Sequence, residues 1–313
     1  MTATYLALSG GVGGAKLASG LAAVLRPGQL TIVANVGDDF DHLGLRICPD
    51  LDSNMYALAG LNNEELGWGR QGETWQFMAA LKDFGGETWF NLGDQDLAVH
   101  VERTRRLAAG ESLSDVTQAL SRALGITHPL QPASDEPIRT IVETEAGDLS
   151  FQHYFVRDQC APAVLGFHFD GIDNANVSPV FAAALSDPSL AAVIICPSNP
   201  FVSVDPILRM PGLCDRLRSL DAPVLAVSPI VAGQAIKGPA AKMMAELNVP
   251  ATSVAVAEYY GDLLDGFIID VQDTGLVDQF AELPLLVTET IMKNADDRAA
   301  LARSVIDFSG RLP

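Results

Sequence analysis

The chain has 313 residues, four cysteines and a formal net charge of −19, and 48% of its residues are hydrophobic. That charge argues against nucleic acid or an anionic membrane surface as partner, because both need a basic footprint. No uncharged apolar run approaches the roughly 18 residues of a membrane span, and Cys48, Cys160, Cys196 and Cys214 contain no CxxC pair that would mark a zinc site or a disulfide framework. The N-terminus enters a strand without a basic region or a small-residue cleavage site, so the expected location is the cytoplasm, with reduced thiols.

The first unit reads as strand, turn and helix. Leu6-Ala7-Leu8-Ser9 runs into Gly10-Gly11-Val12-Gly13-Gly14, and a helix continues to about Leu25, closed by Arg26-Pro27-Gly28. Glycines let a tight turn bring backbone N–H groups against an anion, and the helix adds the positive end of its dipole. A Walker A loop needs Gly-Lys-Ser/Thr where this chain has Gly14-Ala15-Lys16-Leu17, and GxGxxG counted from Gly11 meets Lys16 at its last glycine. The loop therefore indicates a nucleotide or phosphate without choosing between NAD and ATP; a ligand-free tight turn is the alternative. A second strand over 30–35 completes a βαβ unit of the length a right-handed parallel crossover requires.

In such sheets ligands sit at the carboxyl ends of the strands. The segment after the second strand is acidic: Asp38, Asp39, Asp41, Asp50 and Asp52 put five carboxylates within fifteen residues. A cluster of that kind repels itself unless a cation joins it, and hard carboxylate oxygens suit Mg²⁺. Asp38 and Asp50 are the candidate ligands, the alternative being solvated turn and cap aspartates. Pro49 is expected to interrupt a helix, with Asp52 or Ser53 capping the next one.

Residues 56–84 read as helical, with Trp68 and Trp75 as core bulk. A third strand is expected over 88–92, ending at Gly93-Asp94, with Asp94 capping the next helix. On that helix Asp96, His100 and Arg103 fall at i, i+4 and i+7, as an orienting network or as a surface charge ladder. From 125 to 172 the character changes. Residues 140–144 and 149–156 form a predicted hairpin with a turn at Gly147-Asp148, which puts Leu149, Phe151, His153 and Phe155 on one face. The lone His153 is expected to be structural.

The α/β rhythm then returns with strands over 192–196, 223–227, 252–256, 266–270 and 283–288 and a last helix over 296–308. Nearly continuous apolar strands indicate a sheet covered on both faces. Ser198, Asn199 and Ser228 come directly after strand ends, where they can hold a base or a phosphate or simply cap helices. Lys237-Gly238-Pro239 ahead of a helix is a further place for an anion. The expected fold is α/β: a Rossmann-like, mostly parallel sheet with helices on both faces. Residues 1–124 and 173–313 make its core, and 125–172 an inserted α+β lobe with the hairpin.

Taken together, Gly10-Gly11-Val12-Gly13-Gly14, Cys48-Pro49-Asp50-Leu51-Asp52, Leu92-Gly93-Asp94-Gln95-Asp96 with His100, Pro197-Ser198-Asn199-Pro200 and Val227-Ser228-Pro229-Ile230 resemble the 2-phospho-L-lactate transferases of coenzyme F420 biosynthesis. The resemblance runs over nearly the whole chain. It implies transfer of a phospholactyl, phosphoenolpyruvyl or phosphoglyceryl group from a guanosine diphospho-linked donor to the deazaflavin Fo, with release of GMP, by a Mg²⁺-dependent homodimer. It further implies that Gly10, Gly11, Gly13, Gly14, Ser198, Asn199 and Ser228 hold the nucleotide. Asp38 and Asp50 would carry the metal and the catalysis, and Asp50, Ser53, Asn91, Gly93 and Asp94 the deazaflavin. A related branch comprises non-catalytic regulators that bind nucleotide sugars. It carries Gly-Ser-Ser-Gly where this chain has Phe40-Asp41-His42-Leu43-Gly44, which favours the transferase. An NAD-dependent oxidoreductase fits less well, because the glycine spacing is wrong.

Overall fold

The computed structural model describes residues 2–236, 238–280 and 283–312, so Lys237 lies outside the described residues. In chain order, β1 (Thr4–Ser9) leads through the glycine turn into α1 (Gly11–Val24) and back to β2 (Leu30–Ala34). A small hairpin, β3 (Phe40–His42) and β4 (Leu45–Ile47), precedes four helices: α2 (Pro49–Ala59), α3 (Gln76–Asp83), α4 (Asp94–Ala108) and α5 (Leu113–Ala123). Next come β5 (Leu130–Pro132), then β6 (Arg139–Thr144), β7 (Leu149–Ser150) and β8 (Val164–Asp170). The remaining strands are β9 (Leu190–Ile195), β10 (Val224–Val227), the hairpin pair β11 (Ile230–Val231) and β12 (Gln234–Ala235), β13 (Gly266–Asp270) and β14 (Leu285–Thr288). A helix over Ala295–Ser309 comes after them.

Seven of these strands form one sheet in the order β14-β13-β10-β9-β1-β2-β5, and every pairing in it is parallel. Leu6, Ile32, Ile194, Leu225 and Ile268 are all fully or nearly fully buried, as strands covered by helices on both faces require. The chain builds outward from β1 to β2 and β5, then returns to β9 on the other side of β1. The order therefore reverses between β1 and β9, and the crevice beyond their carboxyl ends is where an open α/β sheet takes its ligand.

Several local expectations change. No strand forms over 88–92: Trp89 and Phe90 instead pack on Phe40 and His42, with Phe40–Phe90 centroids 4.9 Å apart and His42–Trp89 centroids 5.0 Å apart. Their apolar character serves a satellite core that also holds Met78 and Leu92. The expected strand at 252–256 is a helix over Ser253–Tyr260, because the Thr252 hydroxyl accepts the Ala255 N–H at 3.1 Å and caps it. Of the second hairpin arm only Leu149–Ser150 pairs. The chain then coils, and Phe151 and Phe155 stack at i, i+4 with centroids 5.4 Å apart.

Residues 60–75 are a loop rather than helix, since Gly60 ends α2 in the left-handed region at φ 67°. On it Trp68 is 46% exposed and lies against Trp75 with centroids 6.0 Å apart, so this pair is not core. Within the 125–172 segment, β5 joins the main sheet beside β2, while β7-β6-β8 form a separate three-stranded sheet, antiparallel throughout.

Candidate active site

The crevice between β1 and β9 is closed at its base by direct contact. The Ser198 hydroxyl donates to the Gly10 carbonyl at 2.8 Å, and the Gly10 N–H lies 3.2 Å from the same oxygen. A Cβ on Gly13 would stand 2.4 Å from the Pro197 carbonyl oxygen, and one on Gly14 would stand 2.7 Å from the hydroxyls of both Ser198 and Ser9. Gly10 is equally confined, 2.6 Å from the Ser203 Cβ, whereas Gly11 needs its freedom for a φ of +60°. The glycines thus do two jobs: one makes the turn, and three let the β9 end come flush against α1. Helix α1 gets no cap from Gly10 and has no acidic residue in its own first turn; its first N–H, at Gly11, is met from outside by the Asp50 carboxylate.

Facing that turn is a cluster organised by Asn35. Its Oδ1 accepts the Gly37 N–H at 2.8 Å, which fixes the amide so that Nδ2 points inward. From there Nδ2 reaches Asp50 Oδ2 at 2.9 Å, the Val202 carbonyl at 3.2 Å and Asp38 Oδ1 at 3.4 Å. The other Asp50 oxygen accepts the Gly11 N–H at 2.6 Å. Asp38 and Asp50, one on the turn after β2 and the other at the start of α2, therefore share one amide beneath the glycine turn.

Asp38, Asp39 and Asp50 are all buried. Burial pushes the Asp38 carboxyl well above the ordinary carboxylate range, and the neighbouring Asp50 charge adds to this. Burial likewise raises Asp50 to about 6, against the pull of Asn35 and the Gly11 N–H, and raises Asp39 to about 7. Asp39 Oδ1 has no hydrogen-bond partner among the described residues. Buried carboxylates that share a donor and strain against their own charge fit a small hard dication, and Asp38 with Asp50 supplies the two carboxylates Mg²⁺ commonly takes.

Helix α2 does not carry these residues as expected. Pro49 occupies the first turn instead of interrupting the helix, a position where its missing N–H costs nothing. Asp50 and Asp52 both sit in that turn, and neither is a cap. Asp52 points away from the cluster to Arg103 of α4, buried at 1% exposure, whose Nη1 lies 3.1 Å from Asp52 Oδ2 and 3.2 Å from His100 Nδ1. His100 Nε2 is 3.3 Å from Asp96 Oδ1, which accepts the Tyr56 hydroxyl. The i, i+4, i+7 face of α4 is therefore an interior network locking α2 to α4. Asp52, Asp96 and His100 lie close enough to hold a metal ion, but the Arg103 guanidinium already neutralises Asp52 there.

The remaining expected residues divide. Asn199 caps the short turn after it, with Oδ1 accepting the Phe201 N–H at 3.0 Å, and the Ser228 hydroxyl is spent on its own turn, donating to Ile230 O at 2.8 Å. Ser53 lies on α2 at the edge of a recess beside Val12 and Lys16. Gly93, not Asp94, is the N-cap of α4. Asp94 instead accepts the N–H groups of Gln76 and Phe77, each at 3.1 Å, and so caps α3 from outside. Glu73 does the reverse, accepting the Gln95 and Asp96 N–H groups at 2.8 Å each. Asn91 is exposed just before this clasp. Asn35, Glu73 and Tyr56 are the organising residues that sequence reasoning missed; for Asn35 a signal existed in its place directly after a strand and three residues before Asp38.

Comparison with known proteins sets this geometry in context. The family profile described as 2-phospho-L-lactate transferase CofD matches residues 6–302. A protein named phosphoenolpyruvate transferase from Kitasatospora aureofaciens is 38% identical over 310 residues, covering 96% of each chain. One of the same name from Mycolicibacterium smegmatis is 38% identical over 326 residues, covering 97% of this chain and 98% of its own. Among solved structures, a UPF0052 family member from Bacillus halodurans superimposes with a TM-score of 0.62 at 13% identity, covering 98% of this chain and 99% of that one.

Proposed function

The chain belongs to the 2-phospho-L-lactate transferase CofD family, and from that premise we propose that it moves a phospho-hydroxyacid group from a guanosine diphospho-linked donor to the ribityl hydroxyl of the deazaflavin Fo, releasing GMP. Membership itself makes it a phospho-hydroxyacid transferase of coenzyme F420 biosynthesis. The observation that carries the finer reading is the pair Asp38 and Asp50, joined through Asn35 beneath the start of α1, whose first N–H donates to Asp50. Two buried carboxylates beside a glycine turn at a helix start support a cation next to a phosphate, which is what a diphosphate linkage between two groups calls for. The names of the relatives favour phosphoenolpyruvyl as the group moved.

In this reading the guanylyl half of the donor lies along the glycine turn. The Gly13 amide and the turns of Ser198, Asn199 and Ser228 line its path. Mg²⁺, when bound at Asp38 and Asp50, supplies positive charge against the diphosphate. The acceptor approaches from the Ser53 side, with the Asn91-Leu92-Gly93 segment beyond α2 as its outer wall. Its hydroxyl oxygen attacks the phosphorus that bears the hydroxyacid, the bridging P–O bond breaks, and GMP leaves with that electron pair. The hydroxyl proton passes to a carboxylate of the cluster. Asp50, or whichever carboxylate of the cluster is not engaged by the metal, takes that role. No side-chain nucleophile is required, because positioning and charge stabilisation dominate such transfers.

The test is a reconstitution with the guanylylated phosphoenolpyruvate donor, Fo and Mg²⁺, read out by mass spectrometry of the deazaflavin product and quantification of GMP. GMP release that proceeds equally without Fo, or without metal, refutes the reading. The family reading also makes the protein a cytoplasmic homodimer, and sedimentation of the purified chain at micromolar concentration checks the dimer. Among the described residues no helix is long and apolar enough to cross a membrane. The alternative of a non-catalytic nucleotide-sugar binder rests on fold alone, and stabilisation by UDP-sugars but not by GMP or GDP would favour it.

A further inference from the structure

A second recess lies on the flank of the sheet rather than at its strand ends. It is a cleft of about 740 Å³ between α1, α2, the 60–72 loop and the start of the Ala295–Ser309 helix. It adjoins the narrower pocket of about 60 Å³ at Val12, Lys16 and Ser53, and Asn62, Asn63, Glu64 and Arg298 line both. The larger volume falls within the range of small-molecule sites.

Arg298 is the residue around which this cleft is built. Its backbone is pressed onto α1 at Gly20, where a Cβ would stand 2.3 Å from the Arg298 carbonyl oxygen. The residue is buried at 7% exposure. Its Nη2 donates to Glu64 Oε1 at 2.5 Å, while its buried Nε has no hydrogen-bond partner among the described residues. The two partners differ sharply in surroundings: the Arg298 side chain is 9% exposed and the Glu64 side chain 59%. The buried member is the cation, and the carboxylate that meets it comes from the solvent side on a loop.

A buried guanidinium with part of its donor fork unused costs free energy that a planar oxyanion recovers. An exposed carboxylate, by contrast, gives up little on leaving. In the narrow pocket Lys16, Lys293 and Arg298 outnumber Glu64, whereas the wider cleft sets Glu64 and Glu65 against Arg298, so the end of the cleft that meets the narrow pocket is the part suited to an anion.

We propose that this cleft binds a small organic anion, a carboxylate or a phosphate, which docks on Arg298 in place of Glu64. The amides of Asn62 and Asn63 contact the body of the ligand. Glu64 acts as an internal stand-in for the ligand's oxyanion and shows the chemistry the site accepts. Neither Asp38 nor Asp50 lines either recess, although Ser53, on the proposed acceptor's side, lines the narrow one; binding of the probes is measured without donor, acceptor or metal, so it stands or falls apart from the transferase reading.

Two probes test it in metal-free buffer, citrate for carboxylate and pyrophosphate for phosphate, with binding measured by calorimetry and by emission from the pocket residue Trp68. Arg298→Gln is expected to weaken binding of the preferred probe by roughly tenfold or more, and Glu64→Gln to tighten it several-fold by removing the competing charge. Glu64 is exposed, so Glu64→Gln keeps the fold even if Arg298→Gln does not. A Trp68 emission change that saturates with the calorimetric isotherm supports the site, and the probe that binds more tightly identifies the oxyanion. Equal binding by wild type and Glu64→Gln overturns the proposal, as does failure of both probes to bind the wild-type protein at millimolar concentration.

Discussion

Asp50 Oδ1 accepts the backbone N–H of Gly11 at 2.6 Å, so the carboxylate at the start of one helix satisfies a free donor at the start of another. The contact ties the glycine turn to the acidic cluster. Any change in the charge of Asp50 must therefore be felt in the geometry of the turn.

The buried carboxylates give the protein a definite pH dependence. Asp50 at about 6 and Asp39 at about 7 lie above their unfolded values near 3.9. The folded state therefore binds more protons than the unfolded state between those limits. Their contribution to stability is present in full below about pH 4 and is lost as pH rises through 6 to 7. The expected outcome for metal-free protein is a melting temperature that falls from pH 5 to pH 8. Mg²⁺ should raise it far more at pH 8 than at pH 5, and calorimetric melts with and without EDTA measure both.

Asp50→Asn removes a charge from the proposed metal site while keeping the shape of the side chain. A loss of roughly a hundredfold or more in kcat is expected, about 3 kcal/mol in the barrier. The Mg²⁺ stabilisation at pH 8 should shrink in the same variant. Wild-type kcat in Asp50→Asn would remove Asp50 from the mechanism.

Gly13→Ala places a methyl 2.4 Å from the Pro197 carbonyl, which is backbone and cannot swing aside. Overpacking of this kind costs about 1–3 kcal/mol, and here it also forces α1 away from β9. Denaturant unfolding should show the loss of stability, and GDP binding measured by calorimetry should weaken with it.

Arg103 and Asp52 form an ion pair from which water is excluded, with His100 and Asp96 behind it. Arg103→Met alone leaves a buried carboxylate unpaired, with an expected cost of about 3–5 kcal/mol. The double variant Asp52→Asn/Arg103→Met should recover much of that loss. A double-mutant cycle of chemical denaturation midpoints tests the coupling.

The Asp94–Glu73 exchange predicts a stability effect at an exposed place. Asp94→Ala removes the acceptor of two α3 N–H groups, and its Oδ2 also takes the Thr74 hydroxyl at 2.5 Å. A lower melting temperature is expected, with faster amide exchange at Gln76 and Phe77. If the KM for Fo rises in step with the lost protection, α3 reaches the acceptor through this clasp.

Local chemistry alone determined the βαβ start, the apolar parallel strands and the identity of the acidic residues after β2. Glycine runs and uninterrupted apolar strands carry their meaning within a few residues of chain. The sequence also made the Gly10–Gly14 turn, Asp38 and Asp50 suspects, because their residue types are costly to bury without a ligand. Only the tertiary structure decided what those residues meet. That Asn35 joins Asp38 to Asp50, that Arg103 is interior rather than part of a surface ladder, and that Asp94 caps a helix other than its own all depend on contacts between segments distant in sequence. The misread strands at 88–92 and 252–256 have the same cause. Trp89 and Phe90 serve a side core built with Phe40, and one capping hydroxyl at Thr252 outweighs the β-branched pattern after it, so non-local burial and a single hydrogen bond override local propensity.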